Sequence, residues 1–221
     1  MSPSKIVAVA VAEMRSARRL VRTWIFSLLA IGLTFIAYLY YAGIHAFASR
    51  FSATIGATGP RFLMSAMGIY LLAIFLVGII FLGFDVRARD QRERIVEVIE
   101  SRPVSNLELL VGRWLGLTLV AWTPVLVVAV LVQGFGGLAH FFDWPLGDTV
   151  QPVSLVGFVF VDALTALVLW CATVILLAVT LRNRLLVTVV AFVLLGLQVW
   201  SLMRTPIYLL PAISALSGFG A

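Results

Sequence analysis

Apolar runs alternate with short polar breaks along most of this chain. Crossing the hydrocarbon of a bilayer takes about 20 predominantly apolar residues. Five runs meet or approach that length, at 24–44, 62–84, 114–132, 153–181 and 185–203. The fourth is long enough to tilt or to extend past the bilayer. The pattern predicts an all-α fold: a polytopic membrane helical bundle of five spans forming a single transmembrane domain over 1–221. Ahead of the first run, Ile6, Val7, Val9, Ala10, Met14, Ala17 and Val21 share one broad helical face, while Glu13, Arg15, Arg18, Arg19 and Arg22 supply a wet side. That division predicts an amphipathic helix over 4–22 lying in the membrane interface. The plainer reading is a basic flank that happens to be helical.

One charged island breaks the apolar pattern. Residues 85–113 hold six of the ten acids and six of the sixteen basic residues. Ile95, Val98 and Ile99 form an apolar stripe, and Arg89 with Glu93 and Asp90 with Arg94 are opposite-charge pairs at i,i+4. Pro103 disfavours a helical Arg102 and ends that helix. Ser105 followed by Glu108 then reads as a capping box that starts a new helix, one that runs directly into the third span. The result is a helix–turn–helix elbow on the water side of the bilayer.

Composition supports the membrane reading. Of the 221 residues, 62% are hydrophobic, and the mean hydropathy is +1.09; a soluble domain of this size is about half apolar. The net charge of +6 does not point to nucleic acid, because basic residues gather in the cytoplasmic loops of membrane proteins. With the N-terminus inside, thirteen of the sixteen Lys and Arg residues fall in inside segments; Arg50, Arg61 and Arg204 fall outside. The positive-inside rule therefore puts the N-terminus and the island in the cytoplasm. The first run follows four arginines and is longer than a signal core, so an uncleaved span is expected. The loop 134–152, rich in Gly, Pro and aromatic residues and free of basic ones, is read as outside.

Reactive chemistry is sparse. The sequence has no GxxxxGK[ST] phosphate loop, no HExxH and a single cysteine, Cys171, read as a small core residue. His45 and His140 fall near the outer ends of spans one and three and read as interface residues; no metal site is expected. Asp162 is the one acid inside a span, where a charge costs about 2.5–3.5 kcal/mol. It reads as a substrate or ion-pathway residue, as a structural bond to Thr165, Gln198 or Thr123, or as a snorkelling side chain. Pro124 inside span three predicts a kink.

The arrangement resembles the transmembrane permease subunit of a type-2 ABC exporter. The resemblance rests on Phe84-Asp85, Arg89-Asp90, Arg94, Glu97, the stretch from Ser101 to Ser105 and the stretch from Leu110 to Gly116. It covers residues 4–204. It implies an interfacial N-terminal helix, a charged coupling helix after span two and a Gly-Arg start to span three. It also implies a separate ABC-type ATP-binding subunit that carries ATP and Mg, so that this chain binds no cofactor and is not itself an enzyme. Docking to that subunit would fall to Arg89, Asp90, Arg94, Glu97, Glu100, Arg102 and Pro103. A second permease copy, as homo- or heterodimer, and the bacterial cytoplasmic (inner) membrane follow from the same resemblance. The family has six spans with both termini inside; this sequence shows five, and 205–221 reads as an outer tail or the start of a sixth. The alternative is a non-transporting scaffold or a subunit of a larger membrane complex. A polytopic membrane enzyme ranks lowest because no reactive constellation is present.

Overall fold

The computed structural model describes residues 2–48, 50–51, 73–83, 105–144, 152–181 and 183–204. All the secondary structure among them is helical: α1 (Pro3–Arg18), α2 (Val21–Ala48), α3 (Ala73–Gly83), α4 (Asn106–Phe141), α5 (Pro152–Thr180) and α6 (Arg184–Arg204). Helices α2, α4 and α5 are long and apolar enough to cross a membrane. Helix α6 is apolar over Arg184–Gln198, and the second predicted run is described only over Ala73–Gly83. The rest of that run, residues 85–104 of the island and the tail 205–221 lie outside the described residues.

The elements begin and end where local chemistry dictates. Ser105 caps α4 by accepting from the Glu108 N–H at 3.2 Å, and Glu108 Oε2 accepts from the Ser105 N–H at 3.1 Å. The predicted capping box is therefore present. Helices α1 and α2 meet at a sharp junction over Arg19 and Leu20, so the predicted continuous helix 4–22 is corrected: Val21 and Arg22 belong to α2. The Trp24 indole N–H bonds the Arg18 carbonyl at 2.8 Å and satisfies one of the carbonyls left open at the end of α1.

Helix α4 corrects the predicted loop 134–152. It continues for about two and a half further turns beyond 132, through Gly134, Gly136 and Gly137, and stops at Phe141. Its end is a Schellman motif: the Trp144 N–H reaches the Ala139 carbonyl at 2.9 Å, and the Asp143 N–H faces the His140 carbonyl. Asp143 takes the left-handed conformation with φ 50°, which a short polar side chain tolerates. Glycine disfavours a helix by about 1 kcal/mol, but unbonded backbone in hydrocarbon costs several, so the helix persists. Pro124 lies inside α4, and the helix continues through it.

The core forms around α3. Leu76, Ile79 and Ile80 are fully enclosed against Tyr38 of α2, Val125, Val128 and Val132 of α4, and Leu167 and Cys171 of α5. The outward positions Leu28, Leu29 and Ile36 of α2, Val130 of α4 and Leu176 of α5 are large, apolar and exposed, as lipid-facing positions should be. Lipid is as apolar as leucine, so helix association depends on packing and on bonds between helices. Three tryptophans supply such bonds: Trp114 to the Val168 carbonyl at 2.8 Å, Trp122 to Val159 at 3.0 Å and Trp170 to Leu76 at 2.7 Å. Phe35 and Tyr38 pack edge-on against Phe135.

Replacing Trp170 by Phe keeps most of the ring volume and removes the bond to α3. The expected loss is about 0.6 kcal/mol, and at most about 1.7, read as a lower melting temperature in mild detergent. Val130→Leu, at an exposed position of α4, is the control and should melt like the parent.

Candidate coupling site

The residues named for docking an ATP-binding subunit, Arg89, Asp90, Arg94, Glu97, Glu100, Arg102 and Pro103, all lie outside the described residues. The structure does describe the point where the island re-enters the bundle, from Ser105 onward. There α4 is clasped by α1. An added Cβ at Gly112 would lie 2.6 Å from Val9 Cβ and 3.0 Å from the Ile6 carbonyl oxygen; at Gly116 it would lie 2.8 Å from both the Ala10 carbonyl oxygen and Glu13 Cβ. Two glycines four residues apart thus form a shallow channel on α4, and the backbone of α1 lies in it. This is the small-xxx-small contact of membrane helices.

The contact also sets direction. Ser2 meets Glu108, Val9 meets Gly112 and Glu13 meets Gly116, so the two helices run the same way along this stretch. Helix α2 takes over higher up, where Phe35 and Tyr38 meet Phe135. With 36 residues, α4 is about 54 Å long, well beyond the roughly 30 Å of hydrocarbon.

One consequence overturns an expectation. Glu13 was placed on the wet face of the N-terminal helix, yet it is 8% exposed and packs on Gly116, while Val7 and Val11 point outward. The glycine channel selects which face of α1 turns inward, and it selects the one carrying Ala10, Glu13 and Ala17.

Glu108 ties the parts together. Its Oε1 accepts the Ser2 backbone N–H at 2.7 Å, and its Oε2 accepts the Ser105 N–H. The side chain is 5% exposed. The Ser2 bond first, then the Ser105 bond and the charge of Lys5 hold this carboxyl below its ordinary value of 4.5, against a smaller opposing effect of burial. One carboxylate therefore joins the start of α1, the start of α4 and the end of the island.

Asp162 lies elsewhere. It sits in α5 within a π-helical segment, Phe158–Ala163, a local widening that often marks functional positions. It is half-buried. Of its proposed partners, Thr123 donates its hydroxyl to its own helix at Leu119, so the structural bond from Thr123 is not made. Trp122 bonds the Val159 carbonyl inside the same segment. The carboxylates and the two histidines do not converge: His45 is buried in α2, His140 is exposed on α4, and no metal-holding group occurs among the described residues. Cys171 is enclosed beside Thr118.

Comparison with protein-family models, with curated proteins and with solved structures finds no match to this chain.

Two variants test the site. Gly116→Ala should lower stability by about 1–3 kcal/mol through overpacking, whereas Gly137→Ala, where nothing lies within 4 Å, should be neutral or gain about 0.5–1 kcal/mol; parallel thermal melts check both. The lowered pKa of Glu108 means its contribution is fully present above about pH 4.5 and fades as pH falls through the native value. Amide exchange at Ser2 should accordingly quicken below pH 4.5 relative to a remote helix, after correction for intrinsic rates. Glu108→Gln should remove that pH-dependent component.

Proposed function

We propose that this chain is the membrane-spanning permease subunit of an ATP-driven exporter, with ATP and Mg bound by a separate ABC-type subunit. The observation that carries the reading is the clasp at the end of the island. Ser105 and Glu108 attach the charged segment directly to α4 and, through Ser2, to α1. A push on the island would therefore enter two helices at once rather than be lost in a loose loop. Arg89, Asp90, Arg94, Glu97, Glu100, Arg102 and Pro103 form the docking element in this reading, and the residue pattern from Phe84 to Gly116 supports it.

The same reading puts the chain in a bacterial cytoplasmic membrane, with five spans and a cytoplasmic N-terminus, paired with a second permease copy. The excess of Lys and Arg in the proposed inside segments supports that orientation. Asp162 is a pathway residue or a contact to the second copy. No feature of the described residues selects a substrate class.

The test is purification of the tagged chain in mild detergent from its native membrane, followed by mass spectrometry. Stoichiometric recovery of a nucleotide-binding subunit is expected. Reversing charges with Arg94→Glu and Glu97→Arg should cut that recovery about tenfold or more, given 2–5 kcal/mol for an interfacial charge left without its partner. Intact recovery with both reversals would remove the island from the coupling role; a stable complex of membrane proteins without any ATPase would favour the scaffold reading.

A further inference from the structure

A groove opens where α1, α2 and α4 meet. Its volume is about 150 Å³, and it is lined by Met14 and Arg18 of α1, Thr23, Trp24, Ser27 and Ile31 of α2, and Val120, Thr123, Pro124 and Val127 of α4. Its two ends differ chemically. At one end is Arg18, with Arg15, Arg19 and Arg22 close in sequence. At the other are Ile31 and Val127, about 10 Å further along α4 from Val120. Trp24, Thr123 and Val127 are exposed, so the groove opens sideways, on the side where α2 presents Leu28 and Leu29.

One polar side chain along it lacks a partner. Thr23 is 6% exposed, and its hydroxyl has no hydrogen bond. Pro124 has no N–H to give the Val120 carbonyl, and both residues line the groove. A buried hydroxyl without a partner costs about 1–3 kcal/mol. The site thus combines a cationic mouth, a polar edge and an apolar trough that runs into the span.

We infer that this groove holds a resident anionic phospholipid of the surrounding bilayer, with its phosphate at Arg18, its glycerol ester region beside Thr23 and one acyl chain along Ile31 and Val127. The charge at the mouth complements an anionic headgroup, and the sideways opening gives a bilayer lipid direct entry. The same lipid would seal the junction where α1 ends and α2 begins. The inference is independent of the exporter reading.

The test uses the full chain in nanodiscs of zwitterionic lipid doped with phosphatidylglycerol carrying a diazirine in one acyl chain. Photolabelled residues are mapped by mass spectrometry. Label should concentrate on Ser27, Ile31 and Val127 over the exposed controls Leu176 and Val179 of α5, and a zwitterionic probe should show no such preference. Arg18→Gln should lower groove labelling by about fivefold, the worth of one basic residue near an anionic surface, and leave the controls unchanged. Val127→Trp, which fills the lower end without touching the charge, should also displace the label. Equal labelling of groove and controls, equal behaviour of the two probes, or insensitivity to Arg18→Gln in a variant that keeps its control labelling would overturn the inference. So would a photoreactive residue at position 127 that captures a second copy of the chain instead of lipid.

Discussion

The backbone contact between α1 and α4 is the constraint on which the end of this molecule that meets the charged island depends. Helices in lipid gain little from burying apolar side chains, so close approach and polar bonds decide which ones pair. Gly112 and Gly116 remove the side chains that would hold α1 away. Once α1 lies in that channel, its register is set, Ser2 falls opposite Glu108, and Glu13 is turned inward against its own preference for water. The junction at Arg19 and Leu20 follows, because α2 must leave α1 and continue along the next stretch of α4. The groove beneath Arg18 is the space left where that hand-over is imperfect.

The apolar half of the bundle depends on a different device. Indole N–H groups reach across to main-chain carbonyls of neighbouring helices at three levels. A carbonyl has two lone pairs, so it can serve its own helix and a tryptophan together. The Trp122 bond falls on Val159, inside the π-helical segment. That segment therefore has an external support at the place where its own ladder is widened, and Asp162 is carried on it. A charged side chain on a locally altered turn is a costly arrangement in a span, and its position at the support between α4 and α5 places any change in its protonation or contacts next to a bond between two helices.

Much of this was legible in the residues. Runs of apolar positions located the long helices, and Ser105 with Glu108 announced the start of α4 because a capping box is a local device whose partners are three residues apart. The glycines at 134, 136 and 137 misled, since turn chemistry in water was applied to a segment where leaving the helix is more costly than keeping glycine in it. On α1, Ala10 and Ala17 turn inward as read, but Glu13 joins them and Val7 does not, for a related reason. Amphipathic patterning asks which side chains prefer water, whereas Gly112 and Gly116 decide by steric access. Their spacing was visible, and the signal was small residues four apart on the helix that follows the island. The bond from Glu108 to Ser2 spans 106 residues and had no local signature. Nor did the π-helical segment, whose residues, Phe158 to Ala163, read as ordinary span.

The mechanical consequence comes from lengths. Helix α4 is longer than a bilayer is thick, so force applied to its first turns acts at a distance from the part that lines the bundle. A single helix would bend under such a load. Here those first turns are doubled by α1, with backbone against backbone and a buried carboxylate binding the two starts together. Two parallel helices in close contact resist bending better than one. The stiffened end is the one that meets the charged island, and α1 leads through a two-residue junction into α2. A displacement there would reach α2 and α4 together, and the Trp114 and Trp122 bonds would pass it from α4 to α5. The path therefore crosses the bundle at the indole bonds, and Trp170 carries it on from α5 to α3.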